Sequence, residues 1–179
     1  GFQLTDPSRG NGQTLDARNR TSGNGATVFT DSDNVWGNNT NADRASAAAD
    51  AHYGVAATWD YFKNVHGRNG IFNDGKGVKS YVHTGSNWVN AVWYGNNMYY
   101  GDRDATTYLP LTVLDVAGHE MSHGVAQATS GLAYSGDMGG LNEGNSDIFG
   151  TLVEFYANNP SDPGDYLIGE KIYKSNPTG

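Results

Sequence analysis

Cysteine is absent from the 179 residues, so neither a disulfide framework nor a thiolate metal site can be built. Basic residues are scarce: 11 Lys and Arg stand against 19 Asp and Glu, a formal net charge of -8. The sequence pI of about 4.8 argues against a nucleic-acid surface. No apolar run approaches the ~18 residues that a membrane-spanning helix requires, so no membrane partner is expected. No basic-then-apolar leader opens the chain, as in a mature or trimmed polypeptide. The length is sufficient for one domain with a substantial core.

Glycine, at 25 residues, is in excess, and asparagine is abundant. Residues 10–41 are mostly Gly, Asn, Thr, Ser and Asp. Val28, Phe29, Val35 and Trp36 punctuate them, so they read as strands and turns. Asp43 can cap a helix over 43–65, in which Tyr53, Ala57, Tyr61 and Val65 recur at helical spacing. Strands are expected over 79–83 and 90–100, the latter a hairpin about Gly95-Asn96-Asn97. A helix over 111–129, a loop over 132–140 and a helix over 141–157 follow. Strands first and helices after predict an α+β fold. It would have a β-rich part at 1–110, with one long helix and an edge strand, and metal-binding helices plus an acidic loop at 111–179.

The run His119-Glu120-Met121-Ser122-His123 carries most of the chemistry. Two imidazoles four residues apart share one helix face and can reach one metal ion. Glu120 points roughly the other way and can approach a metal-bound water without being a ligand. Two neutral nitrogen donors and a carboxylate base beside water are the elements of a zinc hydrolase.

A third ligand is required. A histidine six residues beyond His123, preceded by glycine, would give one known arrangement, but Ala126 and Thr129 occupy those positions. Glu143 is the better candidate. Glu143, Asp147 and Glu154, at i, i+4 and i+11, form one helical stripe, and Asp115, His119, His123 and Gln127 form another. Two antiparallel helices with these stripes facing would gather four carboxylates in one seam. Buried and unpaired, such ions would cost several kcal/mol each; bound cations resolve the conflict.

Zinc would take His119, His123 and Glu143. Asp147 would accept the free ring N–H of a ligand His and fix its tautomer; a solvated helix carboxylate is the alternative. Asp115 lies about 6 Å along the axis from His119 and Glu154 about 16 Å from Glu143, so in antiparallel helices both converge away from the zinc. Asp165 and Glu170 follow in a loop of hard oxygen donors suited to calcium. For Asp162, in the same loop, a solvated surface carboxylate is the favoured reading. An edge strand near residues 90–93 could pair with an extended peptide, or be an ordinary sheet edge. His52, His66 and His83 have no partner at ligand spacing; for His52 a packing role with one satisfied nitrogen is expected.

At these residues the sequence resembles the thermolysin family of secreted bacterial zinc endopeptidases. The likeness includes the H-E-x-x-H run, Asn142-Glu143-Gly144-Asn145-Ser146-Asp147 with the apolar stretch behind it, and Asn90-Ala91-Val92-Trp93, similar to the family's substrate-binding edge strand. It runs from about Phe2 to the end of the chain. It implies His119, His123 and Glu143 as zinc ligands, a use of His₂Glu for which thermolysin itself is the standing illustration. Glu120 would be the general base, and Asp147 the carboxylate behind a ligand His. Tyr134 would help to steady the oxyanion. Asn90, Ala91 and Trp93 would hold the substrate chain.

The resemblance also implies a hydrophobic pocket lined by Tyr108, Leu111, Val116 and Ile168 for the residue after the scissile bond. A calcium site would use Asp115, Glu154, Asp165, the carbonyl of Leu167, and Glu170; Asp31 and Asp33 resemble a weaker one. A secreted location is implied, and calcium in place of disulfides suits it. The family's later arginine and histidine have no counterpart before Gly179. The resemblance therefore implies a complementary C-terminal polypeptide and full activity only in its company.

Overall fold

A computed structural model describes residues 1–102 and 107–174. Short strands β1 (Phe2–Gln3), β2 (Thr5–Asp6), β3 (Gly12–Asp16), β4 (Thr27–Val28) and β5 (Thr30–Asp31) precede the long helix α1 (Arg44–His66). Strands β6 (Lys79–Thr84), β7 (Ala91–Tyr94) and β8 (Asn97–Gly101) follow, then helices α2 (Leu114–Ala128) and α3 (Gly136–Ala157). The main sheet runs β2-β3-β6-β8-β7, with β4 also on β3, while β1 pairs with β5. The β3–β6 and β6–β8 pairings are parallel and the others antiparallel. The fold is α+β, as expected, with α1 forming the crossover between parallel β3 and β6.

The Asp43 carboxylate accepts from the Ala45 N–H and caps α1. Left-handed Gly67 closes the helix, donating to the Lys63 carbonyl at 3.0 Å. The stripe that suggested the helix is only partly buried: Tyr61 lies in the core toward α3, while the face toward α2 is built of small residues. Tyr53 and Val65 are exposed, whereas Ala47, Ala48, Ala51, Gly54 and Thr58 are buried. Small residues win that face because α2 comes so close: a Cβ at Gly54 would stand 2.7 Å from the Ala117 Cβ.

The residues expected to form a loop over 132–140 in fact include the first turn of α3, which starts at Gly136. Gly136, Gly139 and Gly140 argue for a loop because each costs about 1 kcal/mol in a helix. Packing overrides this at Gly139, which is buried against the Tyr134 backbone and donates to the Ser135 carbonyl at 3.1 Å. The motif helix is shorter than expected, starting at Leu114 rather than 111.

One apolar core lies between the sheet and α1–α2, with Met98, Tyr100, Val82, Ala117 and Met121 at its centre. A second lies among α1, α2 and α3, around Tyr61, Phe62, Leu114 and Val153. Among the described residues strand β7 is an edge of the main sheet, beside α2.

Candidate metal centre

Helices α2 and α3 pack antiparallel and nearly backbone to backbone. A Cβ on Gly150 would meet the Asp115 carbonyl oxygen at 2.6 Å and the His119 nitrogen at 3.1 Å. Only glycine permits this approach, and it brings the α3 stripe onto the α2 stripe.

At that seam the Nε2 atoms of His119 and His123 are 3.0 Å apart. Glu143 Oε2 lies 3.3 Å from His119 Nε2, and Oε1 lies 3.3 Å from His123 Nε2. Donors about 2.0–2.1 Å from a tetrahedral zinc are separated from one another by roughly 3.3 Å, so this trio suits that ion. Glu120 also has an oxygen near both imidazoles. It is the poorer ligand: Oε1 is 4.0 Å from His119 Nε2, and Oε2 accepts the Trp93 backbone N–H at 3.0 Å.

The far ring nitrogens fix the tautomers. His119 Nδ1 is 2.7 Å from Asp147 Oδ1. His123 Nδ1 is 2.8 Å from Asn142 Oδ1, and Asn142 Nδ2 donates to the Leu132 carbonyl at 3.0 Å. That second bond sets the amide orientation, so Oδ1 faces the ring and His123 Nδ1 must donate. Both Nε2 lone pairs are then directed at the metal position. Burial pushes the His123 imidazole below its ordinary 6.5, against the Asn142 hydrogen bond, which favours the neutral, ligating form. Sequence reasoning found Asp147 and missed Asn142. Its one available signal is its place in the run 142–147, next to Glu143.

A cavity of about 340 Å³ opens over these groups, lined by Asn90, Ala91, Val92, Trp93, Tyr134 and the residues of the centre. Burial, together with the charges of Glu143 and Asp147, raises Glu120 to about 8 against the Trp93 hydrogen bond. Tyr134 lies beside His123, with ring centroids 5.2 Å apart. Burial and the charges of Glu120 and Glu143 push its hydroxyl up from 10.0. Asn90 Oδ1 accepts from the Ala91 N–H at 2.9 Å.

The four positions expected to line a hydrophobic pocket are not among the residues lining this cavity. Tyr108 bridges to Tyr173, Leu111 belongs to the core, Val116 packs against that core half-buried, and Ile168 is exposed.

Along the same seam Asp115, Glu154 and Glu170 bring carboxylate oxygens within 4.8 Å of one another. Asp115 and Glu154 are fully buried, and among the described residues Glu154 Oε1, Asp162 Oδ1 and both Glu170 oxygens have no hydrogen-bond donor. Burial, then the charges of Asp115, Asp162 and Glu170, raise Glu154 to about 7. Unpaired hard oxygens at this density fit calcium. Asp165 holds the loop in place: its N–H donates to Glu154 Oε2 at 3.0 Å and its Oδ1 accepts the Leu167 N–H at 2.6 Å. Asp162, read from sequence as a solvated carboxylate, instead belongs to this acidic group; burial and Asp165 raise it, and Lys171 Nζ stands 3.9 Å away.

Asp31 and Asp33 accept N–H groups of their own loop. His52 Nδ1 contacts Thr14 Oγ1 at 2.9 Å, and His66 Nε2 contacts the Tyr61 hydroxyl at 3.0 Å. His83 lies against Asp102.

Comparison with known proteins bears on the same residues. The family model of the thermolysin metallopeptidase catalytic domain matches residues 1–127, and that of the alpha-helical domain matches residues 130–179. A transglutaminase-activating metalloprotease of Streptomyces mobaraensis is 58% identical over 96% of this chain, which spans 22% of that protein. The thermostable neutral protease NprT of Geobacillus stearothermophilus is 47% identical over 96% of this chain, which spans 30% of it. A solved precursor of protealysin, a metalloproteinase from Serratia proteamaculans, superposes with a TM-score of 0.75 at 32% identity, covering 90% of this chain and 49% of that one. The chain thus spans under a third of these two curated relatives, and on the family match over most of its residues it belongs to the thermolysin metallopeptidase family.

Proposed function

We propose that this chain supplies the zinc centre, proton acceptor and substrate strand of a secreted bacterial endopeptidase. That enzyme would cleave peptide bonds on the amino side of bulky hydrophobic residues. The observation that carries the reading is the convergence of His119, His123 and Glu143 beneath a cavity whose walls are Glu120 and the edge strand β7.

Zinc, when bound, supplies Lewis-acid polarisation of a carbonyl and a more acidic water. Glu120 Oε2 is held by the Trp93 N–H, so Oε1 is the oxygen that takes the proton of the attacking water and passes it to the leaving amine. Across the two-residue turn Tyr94 faces Asn97 and Trp93 faces Met98. Ladder hydrogen bonds alternate along such a pair, so the backbone groups of Ala91 and Trp93 face away from β8; Asn90 Oδ1 and Glu120 Oε2 take their N–H groups, which leaves the two carbonyls for a peptide. A substrate backbone can lie along them, whatever its sequence, with Asn90 at the end of that edge. The Tyr134 hydroxyl, in the same cavity beside His123, donates toward the developing oxyanion. Val116, one turn before Glu120 on the same helix face, would contribute with Tyr108, Leu111 and Ile168 to the hydrophobic preference.

Calcium at Asp115, Glu154, Asp165, Glu170 and the Leu167 carbonyl would neutralise the acidic end of the seam. A second polypeptide segment would cover α3, where Met138, Leu141, Ile148, Leu152 and Phe155 are exposed. An apolar face of that extent is a docking surface. It also favours a second reading, in which this portion alone binds metal but turns over substrate only with its complement. No helix among the described residues is long and apolar enough to cross a membrane.

The test is Glu120→Gln in the complete protein. Zinc content should be unchanged and peptide hydrolysis lost by several orders of magnitude. A Glu120→Gln protein that still cleaves peptides would end the proposed role.

A further inference from the structure

Trp93 is tied twice to the helix that bears the metal ligands. Its backbone N–H donates to Glu120 Oε2 at 3.0 Å, and its indole N–H donates to Gln127 Oε1 at 2.9 Å. Gln127 lies two helical turns after Glu120 on the same face of α2. Its other end is also engaged: Nε2 donates to Asn96 Oδ1 at 3.0 Å, in the turn of the β7–β8 hairpin. An indole N–H can only donate, so Oε1 must face Trp93 and Nε2 must face Asn96. One exposed side chain therefore spans from the helix to both the strand and its turn.

The arrangement bears on register. Ala91 and Trp93 present the backbone carbonyls that would pair with a peptide, and their height over the zinc ligands depends on where Trp93 is held. The Gln127 side chain holds Trp93 to α2 directly and holds the adjoining turn through Asn96.

We propose that Gln127 is a positioning residue for substrate: it fixes β7 against α2 so that a bound peptide backbone stays aligned with the zinc ligands. The proposal rests on the endopeptidase reading above. Gln127 touches no reacting atom and acts through Trp93.

The experiment uses the full metal-loaded protein. First, the parent is assayed on a peptide with a bulky apolar residue after the scissile bond. Gln127→Leu should then raise KM about fivefold, the equivalent of one neutral hydrogen bond of about 1 kcal/mol, with kcat changed less. Gln127→Glu, which keeps an acceptor for the indole, should restore KM. In a Trp93→Phe background Gln127→Leu should cost nothing more, because the partner is already gone. Independently of substrate, the Trp93 indole N–H resonance should shift in Gln127→Leu and remain near its parent position in Gln127→Glu. An unchanged KM in Gln127→Leu, an unmoved indole resonance, or full additivity with Trp93→Phe would each overturn the positioning role. A parent that cleaves no peptide would instead remove the endopeptidase reading, and this role with it.

Discussion

Single side chains decide whether the imidazoles are ready for a metal. Asn142 is buried, its amide is locked by the Leu132 carbonyl, and it dictates that His123 presents Nε2. Asn142→Leu should leave α2 and α3 folded while freeing the ring to adopt the other tautomer. Zinc affinity is expected to fall about 10- to 100-fold, the usual cost of losing such a partner, as read by competition with a chelating dye. An unchanged affinity would mean that Ser146 Oγ, 3.0 Å from the same nitrogen, suffices as acceptor. The convergence of His119, His123 and Glu143 was legible in sequence because spacing on a helix fixes which residues share a face. Asn142 was not, because an uncharged amide carries no such mark. Its function depends on which way its oxygen points, and a carbonyl ten residues earlier in the chain decides that.

Between elements, glycines and one ionic network set the spacing. Gly150→Ala should push α3 off α2, because its Cβ would fall 2.6 Å from the Asp115 carbonyl oxygen. A loss of about 1–3 kcal/mol is expected, as for other overpacked contacts, and thermal melts would reveal it. The sequence placed both helices but could not place this contact: a glycine in a helix reads as a weakness until the neighbouring backbone is known. The same limit explains the misread start of α3 and the small-residue face of α1.

Where the strands end, His83 of β6 contacts Asp102 through Nδ1 and the Arg44 carbonyl through Nε2. Asn19 Nδ2 donates to Asp102 Oδ2 at 2.9 Å, and Arg44 holds Asp16 by two bonds. Burial would raise the Asp102 carboxyl, but the His83 and Asn19 hydrogen bonds and the charges of His83 and Arg44 outweigh it, holding the group down at about 2 rather than 3.8. A depressed folded-state value means stability that is present above the unfolded value and lost as pH falls through the folded one. Asp102→Asn should therefore lower the melting temperature near neutral pH, and the gap to the parent should close as pH falls from about 4 to about 2. A gap independent of pH would show that Asp102 contributes shape rather than charge.

For the molecule as a whole, the acidic excess and the buried carboxylates are one problem. A net charge of -8 is tolerable on a surface, but Asp115 and Glu154 are buried with Asp162 and Glu170 beside them. Removing calcium should lower the melting temperature sharply. At free calcium about a thousandfold above its dissociation constant, the ion contributes about 4 kcal/mol to folded-state stability. Asp162 sharpens the test because its effect should change sign. With calcium present, Asp162→Asn removes an anionic oxygen from the centre and should weaken binding, read by titration of the metal-free protein. With calcium chelated, the same change removes one of the repelling charges and should raise the melting temperature. The lost contact with Lys171, at 3.9 Å and half-exposed, is worth at most about 1 kcal/mol, too little to mask that reversal. Destabilisation of equal size in both conditions would mean that Asp162 only braces its loop.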